Sequence, residues 1–287
     1  MIVEKYSHIR LSYKIAIALL ILIISGTASY VGYGHYQSQK VAQQQKQAEI
    51  VRLAAIAAKE AKKKEPVYIN LPGTRKIRAI VDDFSQPDSI WTIVSKSHAI
   101  STEYVPSPII VPDVPTRTDK STDERSVRSD IATALKAMFD EASKYSYQLM
   151  VGSGYRSANL QAIYFNSLAA SVGELAANQS IARPGQSEHQ TGLAVDISTV
   201  SRNCYLQECF ADTSDGQWLA SNSYKYGFIL RFPKGKEDIT GYQYEPWHFR
   251  YVGVDLATAL HESNLTLDEA WSYLEKALTT LKLNGAI

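Results

Sequence analysis

The first long apolar stretch runs from Ile15 to Tyr33 without a charged residue. As a helix it would rise about 28 Å, close to the hydrocarbon thickness of a bilayer. Lys5, Arg10 and Lys14 precede it and the next lysine is Lys40. That asymmetry places the N-terminus in the cytoplasm and the remainder outside, with Tyr30 and Tyr33 at the outer interface. The competing reading is a cleaved signal peptide, with Ile15 to Ile24 as its apolar core and Gly26-Thr27-Ala28 as a small-residue cleavage site. The length favours the anchor, and both readings export the chain. No cysteine follows the run closely enough to suggest a lipoprotein anchor.

Polar residues then take over. Gln37 to Glu65 is rich in Gln, Ala and Lys without Gly or Pro, which predicts a helical stalk. Its apolar positions are too sparse for a heptad. Pro66 to about Gln86 mixes Pro, Gly and charge and reads as a linker. From Ser89 the pattern becomes that of a globular domain, expected to span 89–287. The β-branched and aromatic run Ile90 to Val94 predicts a strand. Ile131, Leu135, Met138 and Phe139 recur at helical spacing within Val127 to Tyr145. Tyr147 to Val151 reads as a strand ending in the tight exit Gly152-Ser153-Gly154, and Ser157 as the cap of a helix reaching about Ser171. Leu193 to Ser198, Phe228 to Arg231 and Trp247 to Val252 are expected strands. Trp218 to Tyr226, Leu256 to Glu262 and Leu267 to Leu281 are expected helices, with Gly227 ending the first. Mixed helices and short strands without a βαβ rhythm give an α+β class.

Composition narrows the function. The 287 residues suit one domain plus extensions, and a hydrophobic content of 45% with 18 Tyr and 4 Trp suffices for a core. A net charge of +1 offers nothing to attract nucleic acid. Two cysteines exclude a disulfide-rich scaffold.

Of six histidines, His8, His35, His98 and His261 lack a suggestive context. In Ser187-Glu188-His189-Gln190-Thr191-Gly192-Leu193-Ala194-Val195-Asp196 a loop histidine is followed by a strand aspartate, and in Glu245-Pro246-Trp247-His248 a carboxylate precedes a histidine by three. A catalytic zinc needs three protein ligands and one open position. His189, Asp196 and His248 supply that count. Glu245 is then spare and close by, suited to take a proton from an attacking water and pass it to a leaving amine. Glu188, beside a ligand, reads as solvated.

Together these motifs resemble the VanY-type D-alanyl-D-alanine carboxypeptidases, in the wider group with lysostaphin-like peptidases and hedgehog domains. Ser153-Gly154-Tyr155-Arg156-Ser157 with Gln161, Arg183-Pro184-Gly185, and Gly227 to Arg231 leading to Gly241-Tyr242 extend the match over roughly Ser89 to Gly253, about three-fifths of the chain. Ala99 and Gln186 stand where the family tends to have Pro and His. The resemblance implies a small central antiparallel sheet with flanking helices, one zinc on His189, Asp196 and His248, and Glu245 as general base and acid. It implies that Arg156 polarises the scissile carbonyl or holds the substrate carboxylate, and that Ser187, Gln161, Tyr242 and Trp247 lie near the substrate. The implied partners are peptidoglycan stem peptides ending in D-Ala, met outside the membrane.

Cys204 and Cys209 lie between two of these blocks, and an oxidising compartment favours a disulfide over a metal site. Closing so short a loop is worth about 2 kcal/mol. The favoured activity is hydrolysis of the terminal D-Ala-D-Ala bond. The alternatives are an L,D-carboxypeptidase acting on tetrapeptide stems, a D,D-dipeptidase, and a non-catalytic wall-binding module, which loss of Glu245 or a ligand would have signalled. N-terminal sequencing of the mature protein checks the export reading: the anchor requires an intact N-terminal segment, whereas a mature chain starting at Ser29 means cleavage.

Overall fold

The computed structural model describes residues 2–287, with side chains from Ile15 onward except Lys64. The side chains of Lys5, Arg10 and Lys14, which carry the topology expectation, and of His8 lie outside the described residues. The chain forms two units that meet in sequence at Lys64 and Glu65. The first is a single helix, α1 (Ile2–Lys64), so the apolar stretch and the polar stalk share one uninterrupted element. From Ile15 it is long and apolar enough to cross a bilayer, a test that a signal sequence also passes.

The second unit covers 65–287. It opens with a small hairpin, β1 (Tyr68–Ile69) and β2 (Ile77–Arg78). A second two-stranded ladder, β3 (Ile109–Ile110) with β4 (Val127–Arg128), leads into α2 (Ser129–Lys144). There follow β5 (Leu149–Ser153), α3 (Ala158–Val172), α4 (Glu174–Ser180), β6 (Ala194–Thr199) and α5 (Ser214–Asn222). The chain ends with β7 (Phe228–Leu230), α6 (Glu237–Thr240), β8 (His248–Tyr251), α7 (Val254–Ser263) and α8 (Leu267–Leu283). The central sheet has the order β5-β6-β8-β7 and is antiparallel throughout. The expected α+β class, with a small antiparallel sheet flanked by helices, holds.

Alternation along the strands decides what each face carries. Val195 and Ile197 of β6 and Phe249 of β8 pack with Ile131, Leu135, Met138 and Phe139 of α2. Asp196 and His248 therefore point to the opposite face. A second apolar cluster joins Leu256 and Leu260 of α7 with Leu267, Leu274 and Leu281 of α8. Ser157 caps α3 by accepting from the Leu160 N–H at 3.2 Å, and Gly227 closes the turn before β7 at φ 86°.

Two expectations are corrected. Pro66 to Gln86 is not a linker, because Ile69, Leu71, Ile77, Ala79 and Phe84 are buried in the α7–α8 cluster. The turn residues that suggested a linker belong to the hairpin between them. Ile90 to Val94 is not a strand. Trp91 is buried there, with its Nε1–H donating to the Val252 carbonyl at 2.8 Å, so the apolar run reflects packing and not sheet pairing.

Glu124 ties the segment before β4 to the site. Burial would push its carboxyl up, but hydrogen bonds from Lys120, Tyr164 and Ser121 outweigh this and hold it at about 2. A depressed carboxyl contributes stability that is present above its ordinary value of 4.5 and lost as pH falls through about 2. Glu124→Gln is expected to lower Tm at pH 7, with the difference shrinking as pH drops from 4.5 toward 2. Thermal unfolding of both proteins across that range checks it, and a pH-independent difference would refute the linkage.

Candidate active site

The antiparallel register sets Asp196 of β6 directly opposite His248 of β8, on the face that α2 does not cover. His189 comes from a short 3₁₀ turn, Glu188–Thr191, which Gly192 ends at φ 67° to feed the chain into β6. One donor atom from each of His189, Asp196 and His248 lies within 4.8 Å of the others. His189 Nε2 is 3.4 Å from Asp196 Oδ2, and His248 Nδ1 is 3.4 Å from Asp196 Oδ1. All three side chains are buried.

The orientation of His189 is fixed from behind. Its Nδ1 lies 2.7 Å from the Gly154 carbonyl, so the ring donates there and turns the Nε2 lone pair to the cluster. Gly154 holds this carbonyl because its own N–H donates to the Glu124 backbone carbonyl, and a Cβ there would run into the Ser126 carbonyl. Asp196 Oδ1 is buried and has no hydrogen-bond partner. A buried carboxylate oxygen left open between two imidazole nitrogens fits a divalent cation with N, O and N ligands.

Glu245 Oε2 lies 3.4 Å from His248 Nδ1, the nitrogen that faces the cluster. Burial pushes its carboxyl up to about 7; His248 opposes the rise and Asp196 adds to it. For Asp196, burial acts upward as well, but the neighbouring His189 and His248 hold it well below the carboxylate range. Arg156 stands on the other side. Its Nη1 donates to Gln161 Oε1 and its Nη2 to Ser153 Oγ, each at 3.0 Å. The carboxylate nearest to it is that of Asp196 at 3.8 Å, and its buried Nε has no partner. Its charge thus meets neutral groups and one carboxylate already engaged by the cluster. Arg156, Gln161, His189, Asp196, Glu245 and His248 line a cleft of about 180 Å³ that also includes Ser187, Tyr242 and Trp247.

A protein-family model described as D-alanyl-D-alanine carboxypeptidase, VanY, matches residues 124–254. The chain is 44% identical over 196 residues to "Putative carboxypeptidase YodJ" of Bacillus subtilis (strain 168), covering 68% of this chain and 72% of that protein. The chain belongs to the VanY family. Among solved structures it is similar to the LdcB LD-carboxypeptidase, with a TM-score of 0.62 and 43% identity, covering 72% of this chain and 94% of that one. It is also similar to a mutant of the vancomycin-resistance D,D-pentapeptidase VanY in complex with Zn(II), with a TM-score of 0.52 and 29% identity, covering 66% and 99%.

Within this VanY-family site the sequence reading needs one correction. Glu188 is not solvated: it is 2% exposed, and both the Arg231 Nε–H at 2.8 Å and an Arg250 Nη1–H at 2.7 Å donate to its Oε1. Its Oε2 lies 3.4 Å from His248 Nε2. Burial would raise this carboxyl, but the two guanidinia hold it well below the usual range. The signal was present in the strand period, since Arg250 sits two residues after His248 and shares its face. Gln161 is 1% exposed, with its Nε2–H donating to the Ala182 carbonyl at 2.6 Å. Cys204 and Cys209 are bonded, with Cα atoms 5.6 Å apart, and the loop they close presents Leu206 to the cleft. The other described histidines lie elsewhere: His98 packs on Trp271, His261 stacks on Tyr224, and His35 lies on α1.

Proposed function

We propose that the chain is a zinc carboxypeptidase that releases the C-terminal D-alanine of peptidoglycan stem peptides. The observation that carries this is the buried His189, Asp196, His248 group with Glu245 against it and Arg156 facing it across one cleft. His189 Nε2, an Asp196 oxygen and His248 Nδ1 would hold the ion. Zinc held there would supply a Lewis acid for the scissile carbonyl and would make the attacking water more acidic.

The chain's own groups do the rest. Glu245, whose burial favours the protonated form more than in an ordinary carboxyl, takes a proton from the attacking water and returns it to the leaving amine. Arg156 receives the substrate's terminal carboxylate, or the carbonyl beside it, on its planar fork. Gln161 and Ser153 hold that fork in place. Ser187, Tyr242 and Trp247 shape the cleft around the terminal residue. Exclusion of bulk water from the buried cluster strengthens each charge interaction. The apolar stretch of α1 holds this domain at the outer face of the membrane.

The D,D-bond of the pentapeptide was the sequence expectation. The 43% identity with an LD-carboxypeptidase across nearly all of that chain, against 29% with the D,D-pentapeptidase, favours the L,D-bond of the tetrapeptide. Mass spectrometry of both stems incubated with the purified full-length chain tests the assignment. Release of one D-Ala from the tetrapeptide at the higher kcat/KM supports the L,D reading, and preferential trimming of the pentapeptide returns the D,D one. Amidating the C-terminus is expected to lower kcat/KM at least 10-fold; equal cleavage of amidated and free-acid peptide would remove the carboxylate role of Arg156.

Glu245→Ala is expected to keep about one zinc per chain while kcat falls at least about 100-fold. Retention of a tenth of wild-type kcat, or loss of the zinc, would overturn the proton-handling role.

A further inference from the structure

Glu188 presents two unlike oxygens. Oε1 accepts from both Arg231 and Arg250. Oε2 has no hydrogen-bond partner, nor has His248 Nε2, and these two buried atoms lie 3.4 Å apart. When His248 gives its Nδ1 lone pair to a metal, its proton must sit on Nε2. Oε2 is the acceptor that faces it. A carboxylate behind a ligating imidazole fixes the ring and strengthens it as a ligand.

The chain of charges does not stop there. The same Arg231 that donates to Glu188 forms a two-pronged pair with Asp268, one contact through Nη1 and another through Nη2 at 3.3 Å. Asp268 lies in the first turn of α8, beyond residue 254 where the family match ends. That turn is held firmly. Thr266 and Glu269 form a reciprocal capping box, and Lys236 Nζ donates to Glu269 at 2.8 Å. Two carboxylates and two guanidinia thus balance behind His248. Without the Asp268 charge, a buried excess of one positive charge would stand beside a site that must hold a dication.

We infer that Asp268 is a positioning residue of the metal centre, acting through Arg231 and Glu188 on His248. The inference rests on the zinc reading above. A bland role is available, since an acidic side chain in the first turn also stabilises a helix dipole. The two differ in what they move: a helix staple changes unfolding, whereas a positioning residue changes the metal.

The test compares the wild-type full-length chain with Asp268→Asn and Leu274→Ala. Asp268→Asn is nearly isosteric at a partly exposed position, and Leu274→Ala opens the core of the same helix without touching the charges. Zinc affinity is measured by chelator competition, and kcat and KM on the preferred stem, well below both melting temperatures. Asp268→Asn is expected to weaken zinc binding about 10-fold or more and to lower kcat with KM within twofold. Leu274→Ala should lower Tm and leave zinc affinity unchanged. Wild-type zinc affinity in Asp268→Asn overturns the inference, as does equal weakening by both variants at matched loss of Tm. A wild-type chain that binds no zinc would instead bring down the proposed function, and this inference with it.

Discussion

The site depends on one cross-strand pair. Asp196 and His248 are register partners in neighbouring antiparallel strands, so their side chains must emerge on the same face. A one-residue slip of either strand would turn its own member of the pair into the apolar layer under α2 and bring Val195 or Phe249 out. Burial of Val195, Ile197 and Phe249 against α2 therefore fixes where Asp196 and His248 point. His189 and Glu245 enter on short tethers from the same two strands, seven residues before Asp196 and three before His248. The core that stabilises the sheet also aims the chemistry.

Three carboxylates share this buried space, and their partners separate their behaviour. Glu188 meets two guanidinia and stays ionised. Asp196 lies between two imidazoles and within 3.8 Å of Arg156. Glu245 has His248 beside it and no guanidinium contact, and its carboxyl alone of the three rises to about 7. Carboxylates in one enclosed site differ in proton affinity because compensation is local. Cationic and imidazole partners thus hold two of the carboxyls low, while the third, without a guanidinium beside it, is pushed up.

Much of this was legible in the chain. Few residue types can ligate a metal, and their spacing survives folding as short tethers on strands, so the four residues singled out in sequence, His189, Asp196, His248 and Glu245, are ones the fold brings together. The strands of the central sheet were legible from short apolar runs. What failed has a common cause. Glu188 looked like a surface residue because its partners lie 43 and 62 residues away. Trp91 looked like a strand residue because burial of either kind leaves the same composition. The hairpin at Tyr68 to Arg78 was hidden because its apolar residues are diluted by turn residues and its pairing is only two residues long.

The segments outside the family match are bound to the site by the same charges. Arg250 Nη2 donates to the Ile90 and Thr92 carbonyls at 3.1 and 2.8 Å, so the segment before the matched region holds one of the guanidinia on Glu188. Asp268, after the matched region, holds the other. A guanidinium as fully buried as Arg231 or Arg250 needs its donors satisfied, because an unpaired buried charge costs several kcal/mol. The matched region supplies Glu188 for both but leaves most of their remaining N–H groups to the flanks. The matched region and its flanking segments therefore form one electrostatic unit, which takes in the Ile90–Thr92 segment before it and Asp268 of α8 after it.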